Sequence, residues 1–173
     1  MSKVILVNEA DEAVGTMEKM QAHREGLLHR AFSIFIFNKA GDMLLQQRAA
    51  GKYHSPGLWT NACCSHPFPG ESTSDAAERR LIEEMGFATP LKEIFTFTYR
   101  TAFDNGLTEH EVDHVFIGTY DGDIEPDIQE VGSYTFKSLP DIRDSMEAEP
   151  QSYTSWFKIA FPKLETYLAT IGM

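Results

Sequence analysis

Apolar residues in the first third of the chain occur in short runs, separated by polar and turn-forming residues. Residues 3–7 predict a strand, and residues 18–24 predict either a short helix or an irregular segment. Residues 31–37 form a near-continuous run rich in Phe and Ile, and residues 43–48 resume the pattern after the turn-forming segment 38–42. Two β-prone runs around such a turn predict a β-hairpin.

The middle of the chain predicts first a loop and then three more strands. Residues 51–69 contain three prolines and are typical of a loop. Residues 92–101 and 111–120 predict strands separated by a turn at Gly106, and residues 131–136 predict a further short strand.

Three segments predict helices. Residues 73–85 carry apolar residues near helical spacing, with Ser and Asp at the start and Gly86 after the end. Residues 139–146 and 154–170 predict the two closing helices, and Pro162 is expected to kink or restart the last one.

Antiparallel strands with interspersed helices indicate an α+β fold, arranged as an α/β/α sandwich around a mixed or antiparallel sheet. The chain shows no linker of domain-boundary length, no internal repeat and no low-complexity tract. We therefore expect a single domain over residues 1–173.

The amino-acid composition limits which classes of molecule the protein is expected to bind. The 173 residues are 42% hydrophobic, which is enough for a packed core. Fifteen Lys and Arg against 26 Asp and Glu leave a net charge of −11. Such a chain is poorly suited to binding nucleic acid or an anionic membrane, so we expect neither partner. An anionic small-molecule substrate would need positive charge supplied locally, by a few Lys and Arg or by bound metal.

Cysteine usage indicates a reducing compartment. The two cysteines, Cys63 and Cys64, are adjacent and do not form a disulfide framework. No apolar run approaches the roughly 20 residues of a membrane span, and no signal peptide is visible. We expect a cytoplasmic protein.

The segment 59–67 is the richest in reactive side chains and places Cys64 two residues before His66. This spacing suits a Cys–His nucleophile pair, metal ligation or a thiol that donates a proton. A loop with one buried thiol and one capping imidazole is an equally simple interpretation.

A second group of candidates consists of histidines and carboxylates. Glu109 and Glu111 point to the same side of a strand while His110 faces away. Two neighbouring carboxylates repel unless a cation or a shared proton neutralises them. With three imidazoles they form a mixed set for a six-coordinate divalent ion, with about one position open. The set comprises His23, His29, His66, Glu109 and Glu111.

Residues 71–87 resemble the Nudix box, the loop–helix–loop that holds metal against a diphosphate. The matching positions are Glu71, Arg79, Leu81, Glu83, Glu84, Gly86 and Phe87. Two positions depart from the box, since Ser65 stands where it begins with Gly and Arg80 replaces a metal-binding Glu. The missing carboxylate weakens the interpretation as a Nudix diphosphate hydrolase.

With segments 28–33, 44–48, 59–67 and 109–112, the resemblance becomes closer to one branch of that superfamily. From about Val4 to Trp156 the sequence resembles the type I isopentenyl diphosphate isomerases. The resemblance implies a Nudix-like fold and the interconversion of isopentenyl and dimethylallyl diphosphate, precursors of isoprenoids. The implied reaction is a 1,3-allylic proton shift through a state with tertiary carbocation character, without net hydrolysis.

The resemblance also implies catalytic residues. Cys64 matches the catalytic thiol on one face of the allyl unit, and Glu111 matches the carboxylate on the opposite face. Tyr99 matches a phenol that hydrogen-bonds near the carboxylate. Trp156 matches an indole over the hydrocarbon end of the substrate. A thiol is a poor acid for an alkene, so we expect Glu111, or Tyr99 through it, to share in proton delivery.

Metal ions and the diphosphate have implied partners as well. The divalent ion of the His3Glu2 set, Mn²⁺, Zn²⁺ or Mg²⁺, is held by His23, His29, His66, Glu109 and Glu111. A second ion, Mg²⁺, is held against the diphosphate by Glu84 and the Cys64 carbonyl. The cations implied for the diphosphate, with Ser65 beside it, are Lys19, Arg48, Lys52 and Arg80.

Several alternatives remain open at this point. They are a Nudix diphosphate hydrolase, a non-enzymatic module that binds metal or a prenyl diphosphate, and a Cys–His thiol hydrolase. Cys63 is interpreted as structural, whereas His54, His110 and His114 receive no function. We expect a monomer or a weak homodimer.

Overall fold

A mixed β-sheet organises the chain, and the computed structural model describes residues 2–172. The strands are β1 (Lys3–Val7), β2 (Ala13–Glu18), β3 (His29–Phe37), β4 (Met43–Arg48), β5 (Trp59–Thr60), β6 (Cys63–Ser65), β7 (Lys92–Ala102), β8 (Thr108–Thr119) and β9 (Val131–Lys137). The helices are α1 (Lys19–Glu25), α2 (Thr73–Met85), α3 (Leu139–Ala148) and α4 (Ser155–Thr170), with a 3₁₀ turn at Pro150–Ser152.

Strand β3 lies at the centre of the sheet. It pairs in parallel with β8 along its whole length, from His29 opposite Glu111 to Phe37 opposite Thr119. On its other edge it pairs antiparallel with β1, β6 and β4. Strand β7 pairs with β8, β2 pairs with β1, and both β5 and β9 pair with β4. This register brings the starts of β3 and β8 and the short β6 together.

Helices cover both faces of β3, which explains why its apolar run is continuous rather than alternating. One face packs against α4 in a core cluster that includes Phe35, Phe37, Phe157, Phe161 and Leu164. The opposite face packs against α2 in a cluster that includes Phe32, Ile34, Ile36, Ala77 and Leu81. The layers confirm the predicted α/β/α sandwich with a mixed sheet.

Local signals predicted the helices well. Helix α2 has the expected bounds, with the Ser72 hydroxyl accepting from the backbone N–H of Asp75 and Gly86 in the left-handed conformation. Helix α1 is the short helix predicted before His29, and α4 continues through Pro162 as one element. No helix within residues 2–172 is long and apolar enough to cross a membrane.

Three short strands were not predicted from the sequence. Strand β2 lies at an exposed edge and therefore lacks an apolar alternation. Strands β5 and β6 fall in the segment that was interpreted as a loop, and they form by pairing with β4 and β3. Strand β8 begins at Thr108, earlier than predicted, so both Glu109 and Glu111 lie inside it.

We predict that Gly86→Ala destabilises the fold strongly. Gly86 has φ +77°, and an added Cβ would lie 2.3 Å from the carbonyl oxygen of Glu125. The left-handed backbone alone costs about 1–2 kcal/mol with a side chain, and the clash adds to it. Urea unfolding should compare it with Gly41→Ala, where φ is +84° and the Cβ would meet nothing within 4 Å. Equal losses of stability in the two variants would contradict the clash.

Candidate active site and metal centre

One cavity of about 210 Å³ brings most of the candidate residues together. It is lined by eleven of them, namely Lys19, Arg48, Lys52, Cys64, Ser65, His66, Arg80, Tyr99, Glu109, Glu111 and Trp156. His29 and Glu84 are buried and hydrogen-bond to lining residues. His23 is buried with its ring centroid 5.7 Å from that of His66.

The three candidate histidines come from three different elements and converge. His23 lies on α1, His29 begins β3 and His66 follows β6, with ring centroids 5.0 to 5.7 Å apart. The Nδ1 atoms of His23 and His29 lie 2.7 and 2.8 Å from backbone carbonyls and donate to them. A neutral ring held in this way presents its Nε2 lone pair to a cation, although in this structure the Nε2 of His29 is hydrogen-bonded to Glu111. Burial lowers the pKa of His66 to about 4, which favours the neutral form that metals bind.

Glu111 lies between these histidines because its strand is in register with its neighbours. It is opposite His29 on β3 and opposite Tyr99 on β7. Its Oε2 accepts from Nε2 of His29 at 2.9 Å and of His66 at 2.7 Å, and its Oε1 accepts from the Tyr99 hydroxyl at 2.5 Å. Burial alone would raise the pKa of Glu111, but the two histidines hold that pKa well below its ordinary value.

Glu109 lies two residues earlier on the same strand face, and its pKa is shifted in the opposite direction. Burial and the negative charge of Glu111 raise the pKa of Glu109 well above its ordinary value. Its Oε1 is buried and has no hydrogen-bond partner among residues 2–172. A cation between the two carboxylates would offset both the repulsion and the missing partner.

The donor atoms fit a divalent ion. One atom each from His23, His29, His66 and Glu111 lie within 4.8 Å of one another. Three imidazoles with two carboxylates suit Mn²⁺, Zn²⁺ or Fe²⁺. The structure thus brings four of the five expected residues around one point, while Glu109 lies in a second group of donors with His23 and His54.

The pleat of β6 separates the two adjacent cysteines. Cys64 faces the cavity, where its thiol donates to Asn61 Oδ1 at 3.2 Å and accepts from Trp156 Nε1 at 3.0 Å. Cys63 faces the α2 cluster and donates to Glu84 at 3.2 Å. Burial, followed by the charge of Asp113, raises the pKa of Cys64, so this thiol stays protonated near neutral pH. The assignment of a structural position to Cys63 agrees with this geometry.

Positive side chains line the remaining wall of the cavity. Lys52 forms an ion pair with Glu130, and Arg80 binds Glu84 at 2.8 Å and Glu83 at 2.7 Å. Arg48 has its guanidinium 5.2 Å from the ring of Trp156. Burial, and next the charge of Lys52, lowers the pKa of Lys19, as expected for crowded cations. Although the whole chain is acidic, one side of the cavity is positively charged. We call this side the basic wall, and it comprises Lys19, Arg48, Lys52 and Arg80.

Three residues of the cavity wall were missed from the sequence. Asp113 continues the face of Glu109 and Glu111 and accepts from Ser33 at 2.7 Å, and strand alternation could have found it. Glu130 pairs with Lys52 but lies far from it in the chain. His54 is a loop histidine that nothing in the local sequence distinguishes from a surface residue.

Comparisons with known proteins agree with this fold. Residues 27–157 match the NUDIX domain family. A Deinococcus radiodurans protein of known structure superposes with a TM-score of 0.79 at 16% identity, covering 94% of this chain and 98% of that one. A MutT protein from Methanosarcina mazei gives a TM-score of 0.68 at 20% identity, covering 84% and 96%. The fold is therefore that of a Nudix-domain protein.

Relatives with higher sequence identity show to which branch of the Nudix proteins the chain belongs. An isopentenyl-diphosphate Delta-isomerase from Pectobacterium atrosepticum is 50% identical over 169 residues, which are 96% of this chain and 93% of that protein. One from Burkholderia multivorans is 51% identical over 155 residues, 90% of this chain and 88% of that protein. The chain belongs to the isopentenyl-diphosphate Delta-isomerase family, as its motifs indicated.

We predict that the Cys64 thiol alkylates slowly in the metal-free, substrate-free protein. Because the pKa of Cys64 is raised, little reactive thiolate exists at pH 8.5, near the ordinary thiol pKa. Iodoacetamide labelling followed by peptide mass spectrometry should give a rate at least about tenfold below that of the urea-unfolded chain. Labelling of folded Cys64 at the unfolded rate would show that the thiol is ionised.

Proposed function

We propose that the protein interconverts isopentenyl and dimethylallyl diphosphate by a 1,3-allylic proton shift. One observation carries the proposal. Cys64 and Glu111 lie on strands that pair with opposite edges of β3, yet both line the same cavity. A flat five-carbon unit between them would meet a proton-carrying group on each side.

The two groups differ in their resting protonation, as an allylic shift requires. The raised pKa of Cys64 keeps its proton on sulfur, while the lowered pKa of Glu111 keeps its carboxylate ionised. The Tyr99 hydroxyl donates a hydrogen bond to Glu111 Oε1 at 2.5 Å, and burial, followed by the charge of Glu109, raises the pKa of Tyr99 well above its ordinary value. The phenol therefore keeps its proton and orients the carboxylate. The proton that Glu111 removes in one direction is the one that the Glu111–Tyr99 pair delivers to the alkene in the other. Because the reaction is reversible, each group serves as acid in one direction and base in the other.

Trp156 is proposed to protect and stabilise the developing cation. Its indole lines the cavity beside Cys64, held by the Nε1–H···Sγ hydrogen bond. A desolvated cation–π contact contributes about 2 kcal/mol, or about thirtyfold in rate if it forms only in the transition state. The ring also helps to keep water from capturing the cation as an alcohol.

The histidine–glutamate cluster would hold a divalent ion, Mn²⁺, Zn²⁺ or Mg²⁺, which when bound would supply positive charge to the buried carboxylates. The residues proposed for it are His23, His29, His66, Glu109 and Glu111. Glu84, with the Cys64 carbonyl, is proposed to hold Mg²⁺ against the diphosphate. The diphosphate itself is proposed to contact Ser65 and the basic wall, which comprises Lys19, Arg48, Lys52 and Arg80.

The remaining properties are inferred from charge and composition. We infer that residues 1–173 act as one domain in the cytoplasm, as a monomer or weak homodimer, with a small-molecule partner only. The net charge of −11 supports the exclusion of nucleic acid and anionic membranes. The basic wall supports a small anionic substrate instead.

The proposed reaction predicts deuterium incorporation without phosphate release. Purified protein given isopentenyl diphosphate in heavy water should form deuterated dimethylallyl diphosphate, because each shift exchanges a proton with the site. A chelator should abolish the exchange. Mass spectrometry of the product and a phosphate assay provide the two measurements. Release of phosphate or pyrophosphate would support a Nudix hydrolase instead, and absence of exchange in metal-replete protein would reject the isomerase.

Arg80→Glu is predicted to weaken substrate binding. Arg80 faces the cavity and binds Glu83 and Glu84, so an acid there adds repulsion against the diphosphate. Loss of one charge-assisted contact raises KM about 10- to 100-fold at saturating Mg²⁺. Arg143→Glu is the matched control, because it makes the same charge change at an exposed ion pair with Glu165. An unchanged KM for Arg80→Glu would remove its role toward the diphosphate.

A further inference from the structure

His54 is a buried histidine in the loop between β4 and β5 that the proposed reaction leaves without a role. Its ring stacks on Phe103 at 4.6 Å between centroids and meets the edge of Trp156 at 5.7 Å. Its Nδ1 lies 3.3 Å from the Ser55 hydroxyl, and only 4% of the residue is exposed. The packing fixes the direction of the Nε2 atom, which has no hydrogen-bond partner in the part of the chain that the structure describes.

Two other unpaired polar atoms surround that nitrogen. His23 Nε2 and Glu109 Oε1 are also buried without a hydrogen-bond partner within residues 2–172. Donor atoms of the three residues lie within 4.8 Å of one another, although the residues come from α1, a loop and β8. Buried polar atoms are rarely left unpaired. Three of them converging, all able to bind a metal, indicate a cation among them.

The distances suit a shared ion better than a direct hydrogen bond. His54 Nε2 lies 3.7 Å from Glu109 Oε1, which is too long for a hydrogen bond. Two ligands bound at about 2.1 Å to one octahedral ion lie about 3.0 Å apart when adjacent and about 4.2 Å apart when opposite. The observed 3.7 Å lies between these two values, so a small shift of either side chain would bring both atoms onto one ion.

The two groups of donors share one residue. His23 belongs to the group with His54 and Glu109 and also to the group with His29, His66 and Glu111. Its Nδ1 is hydrogen-bonded to the Lys19 carbonyl oxygen, so the lone pair on Nε2 is the one that can bind a metal ion. One lone pair binds one ion. An ion bound at that nitrogen would therefore be shared by the two groups.

We propose that His54 is a sixth protein ligand of the divalent ion. The full set would be His23, His29, His54, His66, Glu109 and Glu111. This inference rests on the metal centre of the proposed function but not on the isomerisation itself. Six protein donors fill an octahedral shell, so the ion has no position for exchangeable water. Such a centre suits an enzyme that must exclude water rather than activate it.

Manganese binding to the full-length protein tests the proposal. With Mn²⁺ as the probe, proton relaxation of bulk water reports water molecules that exchange directly on the ion. The wild-type complex should show almost no such enhancement. His54→Ala should admit a water, raise the enhancement and weaken Mn²⁺ affinity, measured by calorimetry, at least about 10- to 100-fold.

Two further variants keep the test decisive. His54→Phe retains the ring that stacks on Phe103 but removes Nε2, so it should reproduce the Mn²⁺ effects in a protein that folds. His110→Ala removes an imidazole that faces away from the centre toward the Gly26 carbonyl, and it should behave as wild type. An exchangeable water on wild-type Mn²⁺, or unchanged affinity in the folded His54 variants, would overturn the proposal.

The outcome is separable from that of the proposed function. Wild-type protein that binds Mn²⁺ without exchangeable water, yet fails to deuterate isopentenyl diphosphate, would support His54 ligation and reject the isomerase. Deuteration by a protein whose Mn²⁺ carries exchangeable water would support the isomerase and reject His54 ligation.

Discussion

Two buried carboxylates on one face of β8, Glu109 and Glu111, repel each other, and the rest of the site is arranged around that repulsion. The parallel pairing of β3 with β8 places His29 directly against Glu111, and the antiparallel pairing of β7 supplies Tyr99. These contacts satisfy Glu111, whereas Glu109 keeps an unpaired oxygen. This difference suits Glu111 to the proton transfer proposed for it and leaves Glu109 an oxygen for the cation that both carboxylates are proposed to hold.

The second constraint is the charge of the whole chain. A protein with a net charge of −11 repels a diphosphate at long range, so attraction must be built at short range. The diphosphate contacts proposed for the basic wall would supply this attraction, and ion pairs with acidic side chains hold Lys52 and Arg80 in place. Arg80 shows the arrangement most clearly, since Glu83 and Glu84 on the same helix hold its guanidinium at the cavity.

Sequence reasoning predicted the features that depend on local signals. The capped helix α2, the apolar run of β3 and the same-side pair Glu109 and Glu111 follow from spacing alone. Features that depend on tertiary contacts were missed. Strands β5 and β6 exist only because partners lie beside them, and β2 is an exposed edge without an apolar pattern. His54 became distinctive only once Phe103 and Trp156 buried it.

The pleat of β6 has a consequence for how the protein withstands oxidants. Although Cys63 and Cys64 are adjacent, their sulfur atoms lie on opposite faces of the sheet, one against α2 and one toward the cavity. Bonding the two sulfurs to each other would require the backbone to abandon its pairing with Ser33 and Ile34 of β3. The fold thus blocks a vicinal disulfide, and oxidative loss of the Cys64 thiol would have to proceed through an external disulfide or a peroxide.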